Sequence, residues 1–285
     1  MNSESEKVIT EIKSLIKLLD DDDEQIYKTA RDRLLEHGDI ALPYLFQQHQ
    51  IGSIAAKRIT GVREVLLRSY FKNEIRTLKK TVDGDVDLEE GVFLIARTRY
   101  FDCNTVPYIN QLNTYAYQLK EKLISVVDPT ELFHRIISYF VEEVGFTGNQ
   151  TDYYSEDNHY INRVLETKTG IPITLSVVYL LVGKRINLPL SGIGLPGHFI
   201  LRLSLENTNI YFDPYNNGKI LTRRDCETIV SDLGFTFTDD YLRPVTNRQI
   251  LERMFRNIIL SLERKQDTER IETIRQFIDT LNSDL

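Results

Sequence analysis

From Ile171 to Gly183 the chain carries no charged side chain, and this run limits what it can fold into more than any other stretch. It opens on Gly170-Ile171-Pro172 and is closed by GKRINLP. Proline is tolerated in a first helical turn because its missing N–H would be unpaired there anyway. The run therefore predicts a buried helix from about Pro172 to Arg185. It is too short to cross a bilayer, which takes about 20 apolar residues. Directly after it the period changes. LSGIGLPGHFILRLSL is apolar and punctuated by glycine, and NTNIYFDPYNNGKIL follows. That pattern predicts two strands joined by the polar turn SLENTN. The stretch therefore reads as a buried helix followed by antiparallel strands.

The flanks read as helices. In VITEIKSLIKLL, Val8, Ile12, Leu15, Ile16 and Leu19 form one apolar stripe. Asp20 to Glu24 then break the pattern with an acidic run, read as a solvated turn leading the next helix, whose positive end favours carboxylates. Consecutive acids point in different directions and make a poor metal site. Ile26, Ala30 and Leu34 continue a second stripe, Gly38 is a stop, ALPYLF is a third short segment, and a longer helix runs from Ile54 to about Lys80. TVDGDVDL at 81–88 is a composition break. Three further helical patterns lead to the loop GFTGNQTDYYSEDN. The chain ends on two amphipathic stripes, Ile250, Met254 and Ile258, then Ile271, Ile274 and Ile278. The expected divisions are 1–80, 81–245 and 246–285.

Composition narrows the function classes. The 285 residues carry a net charge of −7, with 41% apolar and 27% charged residues. A chain of this size buries roughly three quarters of its unfolded surface and needs no disulfide or metal staple. A protein held to phosphate backbones is normally basic, so no nucleic acid partner is expected. Cys103 and Cys226 have no metal-ligand spacing. His37, His49, His134 and His159 are scattered, with no zinc pattern, so no metal and no cofactor is expected. The opening MNSESEKVIT lacks the basic start and apolar stretch of a signal peptide. A cytoplasmic chain away from membranes is the expectation.

The chemistry concentrates between Asn158 and Cys226. His198 begins the first strand and Asp213 ends the second, so antiparallel pairing can bring them together. A carboxylate beside an imidazole fixes its tautomer and supports its charged form, half of a nucleophile–base–orienter arrangement. Asp213-Pro214 is also a turn signal in its own right. Pocket candidates are Asn162, Thr174, Ser176, Gly197 and Tyr215. Gly192, Gly194 and Gly197 read either as close approach to a ligand or as packing relief. Asn162 and Arg163 read either as groove residues or as a surface pair.

The order of a helix after Gly170, a strand with His198 and a strand ending in Asp213-Pro214 resembles the transglutaminase-like fold. RVLETKTGIPITLSVVYLLVGKRINLPLSGIGLPGHFILR and YFDPYNNGKILTRRDC are closest to its SirB-type bacterial branch, related to a domain of some F-box proteins. The resemblance covers roughly residues 85 to 245. It implies an α+β fold, with a papain-like core of helix packed on antiparallel sheet flanked by helical-repeat-like segments. Active members use a Cys–His–Asp triad for acyl transfer or amide hydrolysis, with His198 matching the base and Asp213 its orienter. Their cysteine stands in a G-x-C pattern at the helix start, which lays Gly170 on the glycine and Pro172 on the cysteine. The first segment likewise resembles a HEAT-type repeat, and the last two helices a tetratricopeptide-type hairpin.

Proline cannot attack anything. The expectation is therefore a catalytically silent transglutaminase-like module, a pseudoenzyme that binds or assembles proteins or peptides through a remnant His198–Asp213 pair. The alternatives are a cysteine-dependent hydrolase or acyltransferase drawing on Cys103 or Cys226, and a regulatory protein that acts through protein partners.

Overall fold

A computed structural model describes residues 3–47, 53–78, 80–206 and 208–283; His49 lies outside them. The chain divides into two compact units, residues 1–77 and 78–285. The first is helical: α1 (Ser3–Leu18), α2 (Glu24–His37), α3 (Leu42–Phe46) and α4 (Ser53–Arg76). Ile12, Ile16 and Leu19 of the first stripe are buried, as are Ala30 and Leu34 of the second, while Ile26 stays 39% exposed. The acidic run does what its turn chemistry predicts. Asp23 caps α2 by accepting from the amide of Gln25 at 2.7 Å. Arg58 of α4 donates to the carbonyls of Leu19 and Asp21, pairs with Glu24, and stacks 4.1 Å from the Tyr27 ring. Gly38 ends α2 at φ +62°, a conformation glycine adopts without strain.

The second unit opens with α5 (Leu88–Arg99), α6 (Val106–Leu123) and α7 (Pro129–Ser138), which runs on into one π turn over Tyr139–Glu143. Then come β1 (Thr147–Gly148), α8 (Ile161–Thr167), β2 (Thr169–Gly170) and α9 (Pro172–Arg185). β1 and β2 pair in parallel. The loop read through GFTGNQTDYYSEDN thus holds a short strand and a one-turn 3-10 helix, Glu156–His159. A four-stranded antiparallel sheet follows in the order β3 (Leu190–Leu195), β4 (His198–Leu205), β5 (Thr208–Asp213) and β6 (Lys219–Leu221). The chain finishes with α10 (Arg223–Ser231), α11 (Asn247–Lys265) and α12 (Thr268–Asn282).

α9 runs over the residues its uncharged sequence predicts, and all but three of them are buried. It packs on β3 and β4, with Tyr179 stacked on Phe140 at 3.8 Å and tilted against Phe212 at 6.1 Å. The opposite face carries Ile193, Leu195 and Ile200, gathered with Leu221 and with Cys226 and Val230 of α10. Helices on both faces explain why Phe199, Ile200 and Leu201 are all buried in succession.

The expectation of two strands needs correcting. Pro196-Gly197 splits the long apolar run into β3 and β4, paired as a hairpin with Leu195 opposite His198. Proline followed by glycine at φ +67° is the signature of a tight type II turn. β4 and β5 pair up to Leu205 opposite Thr208, so the strands reach further into SLENTN than expected, and a further strand, β6, precedes Cys226.

One buried carboxylate ties the C-terminal pair of helices to the core. Glu156, 7% exposed, accepts from Arg270 at 2.5 Å and Lys265 at 2.7 Å, with Arg99 at 3.5 Å. Burial pushes its pKa up, but the Arg270 and Lys265 bonds outweigh that and bring it down to about 2. Its stabilising share is therefore present above about pH 4.5 and lost as pH falls through 2. Glu156→Gln is expected to lose about 1–3 kcal/mol near neutrality, since the cations can turn to water. Urea unfolding at pH 7 and pH 2.5 measures this, and the gap between variant and parent should narrow at the lower pH.

Candidate functional site

Sheet register brings His198 and Asp213 together. Leu201 stands opposite Phe212, so Asp213 lies across from Ile200, one pleat from His198. Alternation along each strand then sends both side chains to one face. The His198 Nε2 atom lies 2.6 Å from Asp213 Oδ2. The imidazole side chain is 16% exposed and the carboxylate 3%.

Asp213 serves more than the imidazole. Its Oδ1 accepts from the amide of Tyr215 at 3.0 Å, and its Oδ2 from the side-chain amide of Asn216 at 2.7 Å. Burial raises its pKa, but the His198 contact and the Asn216 bonds outweigh it and hold the carboxylate below its ordinary value. The turn it caps, Pro214–Asn216, packs on both β1 and α9. Tyr215 donates its hydroxyl to the carbonyl of Asn149 at 3.2 Å, and the Asn149 amide donates to the Gly170 carbonyl at 3.0 Å. Two hydrogen bonds thus lead from the Asp213 turn to the residue two places before Pro172. Gly148 makes this approach possible, because a Cβ there would lie 2.4 Å from the Tyr215 carbonyl oxygen.

Pro172 is buried at the first position of α9. The hydroxyls behind it are spent on backbone. Thr174 accepts from the Ile171 amide at 3.2 Å and donates to the Asn158 carbonyl at 2.8 Å, and Ser176 donates to the Pro172 carbonyl at 2.8 Å. Both are fully enclosed, so neither faces a cleft, contrary to their reading as pocket candidates. Asn162 is buried at 4% exposure with its Oδ1 unpartnered, so it forms no surface pair with Arg163. Arg163 instead pairs outward with Asp157 and Glu166. Gly197 forms the β3–β4 turn, where a Cβ would strike Leu233 at 2.4 Å. Gly192 and Gly194 are packing relief, the first beside the Phe199 ring and the second beside Val245 and the Arg253 guanidinium.

Neither thiol forms a hydrogen bond with His198 among the described residues. Cys226 sits in the apolar cluster with Ile193, Leu195 and Ile200, where burial pushes its pKa up to about 11. Cys103 lies before α6, its pKa raised by burial and by the charge of Glu166. Both environments oppose thiolate, the form that attacks.

Three residues of the site were not singled out in the sequence. Arg253 of α11 donates to the His198 carbonyl at 2.7 Å and rests over the Phe199 ring. Asn149 and Asn158 join side chain to side chain at 2.9 Å, and Asn158 also donates to the carbonyl of Asp152 at 2.7 Å. The Asn-rich loop composition was their signal; Arg253 had none, since its role rests on a helix packing 55 residues away in sequence. Among the described residues no group of three or more His, Cys, Asp or Glu could hold a metal ion, and no helix is long and apolar enough to cross a membrane.

Asp213→Ala strips a half-buried imidazole, a turn amide and an Asn side chain of one shared acceptor. A loss of about 1–3 kcal/mol is expected by urea unfolding at pH 7. Because the folded carboxylate titrates below its unfolded value, its share is complete above that value and fades as pH falls through the folded one. Asp213→Asn should therefore show a shallower acid limb than the parent. Equal unfolding midpoints for parent and Ala variant would place Asp213 outside any buried pair.

Comparison with known proteins follows the same core. The transglutaminase-like superfamily pattern matches residues 107–256. A UPF0162 protein of Xylella fastidiosa is 31% identical over 185 residues, 62% of this chain and 66% of that protein. Mouse F-box only protein 21 is 28% identical over 188 residues, 62% of this chain and 30% of that protein. Protein SirB1 of Salmonella typhimurium is 23% identical over 200 residues, 68% of this chain and 74% of that protein. The chain thus spans just under two thirds of the Xylella protein and under one third of the F-box protein. No solved structure matches it. The pattern covers more than half of the chain, and the helix, hairpin and His198–Asp213 pair fall inside it: the chain belongs to the transglutaminase-like superfamily, in the SirB-type branch to which the F-box protein domain is related.

Proposed function

We propose that this chain is a catalytically silent transglutaminase-like module that binds a protein or peptide partner. The observation that carries the reading is Pro172, which heads α9 where active members carry their cysteine. Two others support it: Cys226 is enclosed among apolar side chains with its pKa near 11, and Cys103 stands beside Glu166. The His198–Asp213 pair keeps the geometry of a base and its orienter. In this reading it holds the 214–216 turn and presents the polar edge of a recognition surface. The α11–α12 hairpin is a tetratricopeptide-like support for that surface, and the helices of residues 3–76 are HEAT-like. The partner is a protein rather than a nucleic acid, given the net charge of −7, and the setting is the cytoplasm.

The second reading, a cysteine-dependent hydrolase or acyltransferase, is favoured by the 2.6 Å His198–Asp213 contact alone. It needs a nucleophile within about 3 Å of the imidazole. Activation of water by the pair without stabilisation of the developing oxyanion would be weak, because that electrostatic contribution is usually the largest.

Iodoacetamide at pH 7.4 separates the two. Cys103 and Cys226 are expected to alkylate no faster than free cysteine, Cys226 the slower, with rates unchanged in His198→Ala. Fast alkylation of either thiol that vanishes in His198→Ala would sink the silent module. Pro172→Cys is expected to add a third, faster-reacting thiol whose rate drops in the double variant with His198→Ala.

A further inference from the structure

A cavity of about 460 Å³ lies beside the start of α9, and two of the residues that line it each carry a buried polar atom with no partner. The atoms are Nδ1 of His159, a residue 7% exposed, and Oγ of Ser261, a residue 5% exposed. Orphaned buried polar atoms are rare because each costs the free energy of its lost hydration. Ile171, the residue that caps α9, forms part of the same wall, with Tyr153, Tyr154 and Leu260. Tyr153 also meets the Tyr215 ring edge-on at 5.9 Å, so the cavity adjoins the turn that Asp213 caps.

The lining states what fits. Burial drives the His159 pKa down to about 4, with Glu156 opposing and Lys265 adding to the shift, so the imidazole is neutral near pH 7. A neutral imidazole and a serine hydroxyl each want one uncharged hydrogen-bonding group. The rim carries one charge of each sign, Glu263 and Arg264, and selects neither anion nor cation. Arg264 stacks 3.5 Å over the Tyr154 ring, and Tyr153 meets Tyr154 edge-on at 5.2 Å. These contacts set up an aromatic wall. Tyr154 and Leu260 are 57% and 59% exposed, apolar surface at the mouth that an incoming chain would cover.

We propose that this cavity is the subsite at which the module takes a tyrosine side chain from a partner peptide. A phenol supplies both a donor and an acceptor at the tip of a ring that packs on Ile171, Leu260 and the two tyrosines. Tyrosine also loses little conformational freedom on insertion, having two rotatable side-chain bonds. A phosphorylated tyrosine fits badly, since its dianion would rest on a neutral, buried floor. The proposal rests on the peptide-binding reading above and adds the side chain and the place.

The test is a random peptide phage library panned on the full chain, with selected peptides measured by fluorescence polarisation. The selected peptides are expected to share a tyrosine, with tyrosine to phenylalanine in the peptide weakening binding about tenfold. Ser261→Trp, which fills the cavity, should abolish binding, and Tyr154→Ala on the exposed wall should weaken it several-fold while leaving the melting temperature unchanged. If Ser261→Trp does not fold, Leu260→Arg at the mouth takes its place. Peptides that ignore the tyrosine, bind better when it is phosphorylated, or bind the cavity variants as well as the parent would overturn the subsite and leave the module standing. A library that yields no binding peptide would overturn both.

Discussion

The carboxylate of Asp213 holds together two parts of the second unit that sequence alone leaves separate. It closes β5, fixes His198 across a hairpin, and caps the turn of Tyr215 and Asn216. That turn presses on Gly148, and through Asn149 the backbone reaches Gly170 and the start of α9. An anion this enclosed persists only because several donors meet it, a charge-assisted set stronger than neutral bonds. The sheet end and the helix start are thus registered by hydrogen bonds rather than by apolar contact alone. The 2.6 Å His198–Asp213 contact is thus one part of a larger hydrogen-bonded frame.

Proline at the head of α9 fits the scaffold without disturbing it. The first helical turn has amides to spare, so a residue lacking N–H is tolerated there. Cysteine at the same place would have its thiolate favoured by the helix end. Proline offers the helix end nothing to polarise and encloses it with a ring. Thr174 and Ser176 turn their hydroxyls onto nearby carbonyls. The two cysteines sit where burial or a carboxylate opposes ionisation.

What the sequence made legible was whatever depends on neighbours in the chain. α9 is readable from its uncharged run, the Asp23 cap from its acidic turn, and the His198–Asp213 pairing from two strands and a short connection. The hairpin at Pro196-Gly197 is marked by its own Pro-Gly pair, but the apolar stretches before and after it read as one continuous strand. Arg253 was invisible for another reason: it reaches His198 from α11, by tertiary packing that no local pattern encodes. Thr174 and Ser176 were misplaced because helical spacing gives a direction but not what already fills it. Ser261 had no signal at all, a small polar residue on an otherwise ordinary amphipathic helix.

Buried polar groups gather around the start of α9. Glu156, Asn158, His159 and Asn162 are buried within seven residues of one another, and Thr174, Asp213 and Ser261 reach the same neighbourhood from other elements. Some are fully satisfied, as Asn158 and Glu156 are, and these rigidify the loop. Others keep unpartnered atoms. A scaffold optimised for stability alone would replace the second kind with apolar side chains, since half-satisfied polar networks cost more than they return. Stability sacrificed at a site is what binding surfaces commonly show.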